Sequence, residues 1–308
     1  CVLRSLGDSK SPVWFLAIAS VINIVLDLLT VCVLGMGVAG AAIATVVSQL
    51  GSGVLCVWYM RKHFEVLRME KDDWRLRKAE ALRLLGMGVP VGLQFSITAI
   101  GSVMLQSAVN SLGAVCVSGV AVASKIYMLL CCPFDALAMA ATNFTGQNLG
   151  AGKVDRIRRG MRAALLMAVA TSAVISILML VFGRSILSLF VSGEPDVVQQ
   201  VLDVAYAYLS ILAYMLCILY FLHIYRSALQ GMGDTVRPMI SGVMELAMRI
   251  LVVMTLPKVL GELGIFLAEP AAWLGADALL IPSYYLLLRR QKQLLEPNGL
   301  QPESLEES

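Results

Sequence analysis

Seven ionisable side chains lie inside stretches that are otherwise apolar: Asp27, Lys125, Asp135, Glu245, Arg249, Glu269 and Asp277. A charge in such a setting is costly, so a partner or a function must hold it there. Glu245 and Arg249 stand four residues apart with the acid first, the order that favours an ion pair along one helix. That pairing reads as structural. Asp27 follows Asn23 by one turn, and Glu269 lies in Ala268-Glu269-Pro270, at an expected helix break. Lys125 has no acid within a turn. Either a partner waits on another helix or the amine titrates, as buried lysines do.

Uncharged polar groups form a second pattern. Gln94, Thr98, Ser102, Gln106 and Asn110 follow one another at intervals of four. Such a row drifts by about 40° per step on an α-helix and so makes one continuous stripe. A stripe of this kind either lines a hydrated cavity or bonds to a neighbouring helix. Farther on, Asp203, Tyr206, Ser210, Tyr214, Cys217 and Phe221 recur at intervals of three and four. Aromatic faces attract organic cations, and Tyr214 and Phe221 are the deep members of this row. Tyr206 and Tyr208 read as ordinary residues of the membrane interface.

The elements that must carry these groups are membrane spans. The chain is 58% hydrophobic and 15% charged, with a mean hydropathy of +0.80, whereas soluble domains hold roughly 25% charged residues. Eight apolar runs long enough to cross a bilayer are predicted at 13–34, 37–60, 89–112, 115–144, 161–182, 197–224, 239–256 and 263–288. The fold class is therefore an all-α polytopic membrane protein. Basic residues cluster on one side of the alternating loops: Arg4 and Lys10, the 61–83 linker, Lys153 to Arg162, Arg226 and Arg237, and Arg289 to Lys292. Only Arg184 and Lys258 fall on the other side, so the first side is expected to be cytoplasmic, with both ends of the chain there. Between Glu65 and Leu85 a polar stretch with Leu76, Ala79, Leu82 and Leu85 on one face reads as an amphipathic helix on the membrane surface. The acidic tail after Gln291 reads as disordered.

A repeat organises the spans. Leu3-Arg4-Ser5-Leu6-Gly7-Asp8-Ser9-Lys10-Ser11-Pro12 returns as Leu229-Gln230-Gly231-Met232-Gly233-Asp234-Thr235-Val236-Arg237-Pro238. Six spans separate the copies, so both face the same side and the repeat is parallel. A six-helix unit used twice makes twelve helices. The chain opens at Cys1 inside the first motif, so an N-terminal part is expected to be missing. The expected division is 1–60 for the last two helices of a first lobe, 61–87 for the linker, 88–290 for a six-helix second lobe, and 291–308 for the tail.

Other chemistries find little support. The seven cysteines form no CxxC, and no histidine lies near enough in sequence to suggest a zinc site. His63 and His223 are far apart. Gly146-Gln147-Asn148-Leu149-Gly150-Ala151-Gly152-Lys153 has the wrong glycine spacing for a phosphate loop, and Val154 stands where a hydroxyl is needed. No catalytic residue, resident cofactor or nucleic-acid partner is expected.

That Gly146–Gly152 stretch resembles the signature that ends the eighth helix of the multidrug and toxic compound extrusion family. The Leu-x-x-x-Gly-Asp-Thr-x-x-Pro stretch at 229–238 and its twin at 3–12 are similar to the family's junctions before helices eleven and five. Gly40-Ala41-Ala42-Ile43-Ala44-Thr45 resembles its sixth helix. The resemblance runs from Leu3 to about Arg290, which makes the eight spans helices 5–12 of a two-lobe fold. It implies an antiporter that rocks about a central cavity. Such a protein expels amphipathic, often cationic, small molecules against Na⁺ or H⁺, and the full-length protein would be a monomer in the plasma membrane. Some branches bind the ion through acids on helices seven and ten of the second lobe. Here helix seven offers only Gln94 and Gln106, and helix ten offers Leu219 or Tyr220, so that site looks absent and the coupling ion stays open. Two alternatives remain. One is a flippase for lipid-linked sugars or a polysaccharide exporter, which needs a cationic cavity. The other is a membrane interaction protein or inactive fragment without transport.

Overall fold

The computed structural model describes residues 2–65 and 77–295, and every regular element among them is helical. A short α1 (Val2–Ser5) precedes α2 (Lys10–Asp27), which continues as a π-helical turn over Leu28–Val33. Then follow α3 (Gly37–His63), α4 (Lys78–Asn110), α5 (Ala114–Leu130), α6 (Cys132–Gly150), α7 (Val154–Ser188) and α8 (Pro195–Gly231). The chain closes with α9 (Val236–Thr255), two short helices α10 (Pro257–Leu260) and α11 (Glu262–Phe266), and α12 (Ala268–Leu295). Among the described residues seven helices are long and apolar enough to cross a membrane, and α5 with α6, bent by 45°, makes an eighth when the pair is taken as one span. Pro133 sits in the first turn of α6, where its missing N–H and fixed φ suit a helix start better than a helix interior.

The chain divides into two compact units, Cys1–Ala81 and Leu82–Ser308. In the first, α2 and α3 pack on one another, and Asn23 donates to the Thr45 hydroxyl over 3.5 Å. In the second, α8 is the central post. It packs against α5, α6, α7 and α12, and α12 in turn packs along α9. Tyr220, Leu216, Leu212 and Leu209 of α8 are fully buried, spaced as one broad helical face. Burying a leucine of this kind is worth roughly 1.5–3 kcal/mol where water is the alternative. Against lipid the gain comes from close packing instead. Close packing is visible where α6 crosses α8. A Cβ at Gly231 would lie 2.5 Å from the Thr142 carbonyl oxygen, and one at Gly146 would lie 3.3 Å from the Gly231 oxygen.

The repeated motif folds the same way twice. Asp8 N–H donates to Leu3 O over 3.0 Å and Gly7 N–H to Arg4 O over 3.1 Å; Asp234 and Gly233 do the same to Leu229 and Gln230, both at 3.0 Å. This is the six-to-one, five-to-two closure that ends a helix on a left-handed residue. Gly7 and Gly233 have φ of 90° and 83°, a region open to glycine at little cost. The next residue then starts the following helix. Asp8 accepts from the backbone N–H groups of Lys10 (3.1 Å) and Ser11 (3.0 Å), and Asp234 accepts from that of Arg237 (3.2 Å). Bonding from Ser11, then Lys10, holds the Asp8 carboxyl below its ordinary range. The Gly146–Gly152 signature ends α6 by the same closure, with Gly152 at φ 71° and Lys153 N–H on Asn148 O at 2.8 Å.

Several helices outrun their apolar cores. α7 begins at Val154 rather than 161, and α8 runs on to Gly231 rather than stopping near 224. At 1.5 Å per residue, the 37 residues of α8 span about 55 Å, well beyond a hydrocarbon core of roughly 30 Å. Residues 66–76 of the expected surface helix lie outside the described residues. From Lys78 onward there is no separate surface helix: the chain is already in α4, which runs unbroken through Pro90.

Candidate functional site

The second unit encloses a buried charge network next to a cavity. Three helices supply it at regular intervals. On α9, Ser241, Glu245 and Arg249 are four apart; on α12, Glu269, Trp273 and Asp277 are four apart; α8 contributes His223, Arg226 and Gln230. Residues at such spacing share a helical face, and α9 and α8 each pack against α12. Glu245 is 3% exposed and receives Arg226 on one side and Arg249, at 3.7 Å, on the other. Arg249 reaches on to Glu269 at 2.9 Å, and Arg226 also donates to the Ser241 hydroxyl at 2.9 Å. The ladder thus runs Arg226, Glu245, Arg249, Glu269 across α8, α9 and the first turn of α12. Alternating signs are what buried charges require, since an unpaired one costs several kcal/mol.

α4 closes one side. Its buried residues Gln94, Gly101, Leu105 and Val109 define a single face. Arg249 donates to the Thr98 carbonyl oxygen over 3.3 Å. It can lie against α4 there because Gly101 has no side chain; a Cβ at Gly101 would stand 2.5 Å from the Arg249 Nη1. One turn before Thr98, Gln94 accepts from Gln230 of α8 over 3.1 Å. The cavity beside this network measures about 310 Å³. Its wall combines Arg226, Glu245, Arg249 and Glu269 with Thr98, Ser102, Ser124 and five rings: Tyr127, Phe134, Tyr208, His223 and Trp273. Phe134 lies 4.5 Å from the His223 ring, and Tyr208 meets Phe266 edge to face at 5.3 Å. Acids and π faces around one space can hold an amphipathic cation.

The expected site residues divide accordingly. Thr98, Ser102, Glu245, Arg249 and Glu269 line the cavity, with Gln94 beside it and Asp277 buried behind. The polar stripe on α4 does not act as one surface: Gln106 and Asn110 are exposed and bond each other at 3.0 Å. Lys125 is exposed on α5, so it is not the buried amine expected from its apolar neighbours. Asp135 is exposed too, and Tyr214 is 70% exposed, while Phe221 packs on the core away from the cavity wall. Asp27 belongs to the first unit, where its Oδ1 is buried without a hydrogen bond just before the π turn. Tyr208, expected at the interface, is 6% exposed and faces the cavity. The Glu245–Arg249 pair exists, but each partner has a shorter contact elsewhere.

Arg226 is the main residue that sequence reading misplaced. The charge pattern places it in a cytoplasmic loop, whereas it is 7% exposed inside α8. Its signal was the interval of three from His223 and four to Gln230, which continues the α8 helix past its apolar run. Trp273 was signalled in the same way, midway between Glu269 and Asp277.

The described residues thus form a polytopic helical bundle with a paired charge network beside a cavity. Residues 90–255 match the MatE family model, and the chain belongs to that family. It is 35% identical over 201 residues to the probable multidrug resistance protein YpnP of Bacillus subtilis, an alignment covering 64% of this chain and 44% of the relative. It is 28% identical to the probable multidrug resistance protein YoeA of the same organism, over 95% of this chain and 64% of the relative. A protein of Shewanella oneidensis described as an FAD transporter is 26% identical over 93% and 63%. The chain therefore spans between about two fifths and two thirds of the length of these relatives. Among solved structures, a MATE in the bent conformation superposes with a TM-score of 0.84 at 21% identity, over 96% of this chain and 65% of that one. A transporter of the MOP superfamily from Pyrococcus furiosus gives 0.83 at 24% identity over the same shares. At these identities the likeness establishes the fold. The chain is a multi-pass membrane protein.

Proposed function

We propose that this chain is part of a cation-coupled antiporter, driven by Na⁺ or H⁺, that exports amphipathic and cationic small molecules by alternating access. On this reading α2 and α3 are the end of a first lobe and α4 to α12 form the second. The protein works as a monomer in the plasma membrane with both ends of this chain in the cytosol. The observation that carries the proposal is the ladder Arg226, Glu245, Arg249, Glu269 exposed along a cavity of about 310 Å³ lined by aromatic rings. Ion pairs inside a bundle can exchange partners when a charged solute enters, and that is the kind of bistable element a carrier needs. A flippase for pyrophosphate-linked lipids, or a carrier of an anion such as a flavin dinucleotide, would need uncommitted cations. Here both arginines are engaged by acids.

The test is transport by the reconstituted protein. Proteoliposomes loaded with a fluorescent organic cation are given an inward Na⁺ or H⁺ gradient in separate experiments. Efflux that follows one gradient is the expected result. Efflux equally fast with neither gradient would refute coupling.

A further inference from the structure

Where α7 begins and α12 ends, basic side chains gather round one hollow. Asp155 and Arg158 stand three apart in the first turns of α7. Tyr285, Arg289 and Lys292 stand four and three apart near the end of α12. Such spacing puts each set on one helical face, and the two faces line a cavity of about 200 Å³. α7 and α12 both pack against α8, so the hollow lies between two helices held by a third.

The wall carries three cations against one acid. Lys292 lies 3.7 Å from Asp155, while among the described residues neither Arg158 nor Arg289 has an ion pair. Both arginines are exposed. Basic residues at the ends of spans are ordinary in themselves. Their convergence from two helices on one concave space is not something that rule requires.

Depth narrows the choice of ligand. Arg158 precedes the apolar run that opens at Met161 by three residues, about 4.5 Å along the helix. Arg289 directly follows the run that closes at Leu288. The lipid headgroup layer begins at that level and is roughly 5–7 Å thick. Tyr285 adds a ring and a hydroxyl there, as tyrosines do at the interface. Its ring meets Tyr284 at 5.3 Å, and Tyr284 meets Tyr225 at 5.5 Å. Those two rings are buried, so the wall is braced from behind. One to three turns farther into the bilayer, Leu286 of α12 and Val169 of α7 expose apolar side chains, against which acyl chains can lie. A guanidinium fork matches phosphate oxygens, two N–H groups to two oxygens, and basic pockets between membrane helices hold anionic headgroups.

We propose that this hollow binds the phosphate of an anionic phospholipid. Arg158 grips it from α7 and Arg289 from α12, with Lys292 shared between the phosphate and Asp155. The lipid links the ends of two helices that are otherwise joined mainly through α8. The site does not depend on the antiport reading.

Native mass spectrometry of the protein, from micelles holding equal phosphatidylglycerol and phosphatidylcholine, tests it. Wild type should retain one phosphatidylglycerol in preference. Arg158→Gln with Arg289→Gln should weaken that binding roughly 30-fold, at about fivefold per basic residue beside anionic lipid. Arg156→Gln with Arg159→Gln removes the same charge from α7 outside the cavity and should leave it unchanged. Phosphatidylglycerol should also raise the Tm of wild type but not that of the Arg158, Arg289 double variant. No preference for phosphatidylglycerol in the wild type overturns the proposal without any variant having to fold. Equal losses in the two double variants would reduce the effect to diffuse charge attraction and overturn the site. Displacement of the lipid by excess glycerol phosphate would make the occupant a soluble phosphate ester and overturn the lipid assignment.

Discussion

Replacing Arg226 by methionine tests whether the network is one cooperative unit. Arg226 is 7% exposed and holds both Glu245 and the Ser241 hydroxyl. Methionine keeps the stem's packing but removes the charge. Glu245 would then keep only Arg249, 3.7 Å away and already closer to Glu269 at 2.9 Å. Breaking a buried pair from one side costs about 3–5 kcal/mol in soluble proteins. Bonds inside membrane bundles are worth less, at about 0.6–2 kcal/mol each. The two losses here, one to Glu245 and one to Ser241, set a lower figure of roughly 2 kcal/mol, and the stranded acid raises it toward 4. In a chain of this size such a loss lowers Tm by about 3–6 °C. Thermal unfolding in detergent, followed by tryptophan fluorescence, would measure it. The double variant Arg226→Met with Glu245→Gln removes both charges and should recover at least half of the loss. A single variant within about 2 °C of wild type, or a double variant as unstable as the sum of the singles, would show that the pair is not coupled.

Two further substitutions probe what positions the network. Gly101→Val places carbon where the Arg249 guanidinium lies, 2.5 Å from its Nη1. It should cost about 1–3 kcal/mol by denaturant titration, whereas Gly92→Ala, where a Cβ meets nothing within 4 Å, should cost no more than the wild-type error. Asp234→Ala removes the cap of α9 and the 2.7 Å pair with Arg237. A loss of about 1 kcal/mol is expected in the same titration, and an unchanged midpoint would refute the capping role.

Much of the architecture is legible because bilayer chemistry is blunt. Twenty apolar residues must cross, loops must carry Gly, Pro and charge, and a Gly-Asp-hydroxyl motif must end one helix and start the next. Those constraints are local, so the eight spans and both copies of the junction could be read from residue types alone. Helix ends were less legible. α8 continues seven residues past Ile224, and nothing in the apolar run says that Arg226 stays inside. The α4 stripe shows the same limit: its period was right, but period alone does not say that Gln94 finds Gln230 while Gln106 finds Asn110.

Sequence by itself determined that Glu245, Arg249, Glu269 and Asp277 lie within membrane-crossing helices, because their apolar neighbours leave no other place for them. It also determined the two junctions at Gly7 and Gly233, since only glycine takes that backbone turn cheaply. Tertiary structure alone decided who pairs with whom. The packing of α8 and α9 against α12 brings together charges up to 43 positions apart, Arg226 and Glu269 at the ends of one ladder. Electrostatic energy depends on distances between helices, which no spacing within a helix records. The same packing left Lys125 outside on α5 and Asp277 buried with an unbonded oxygen.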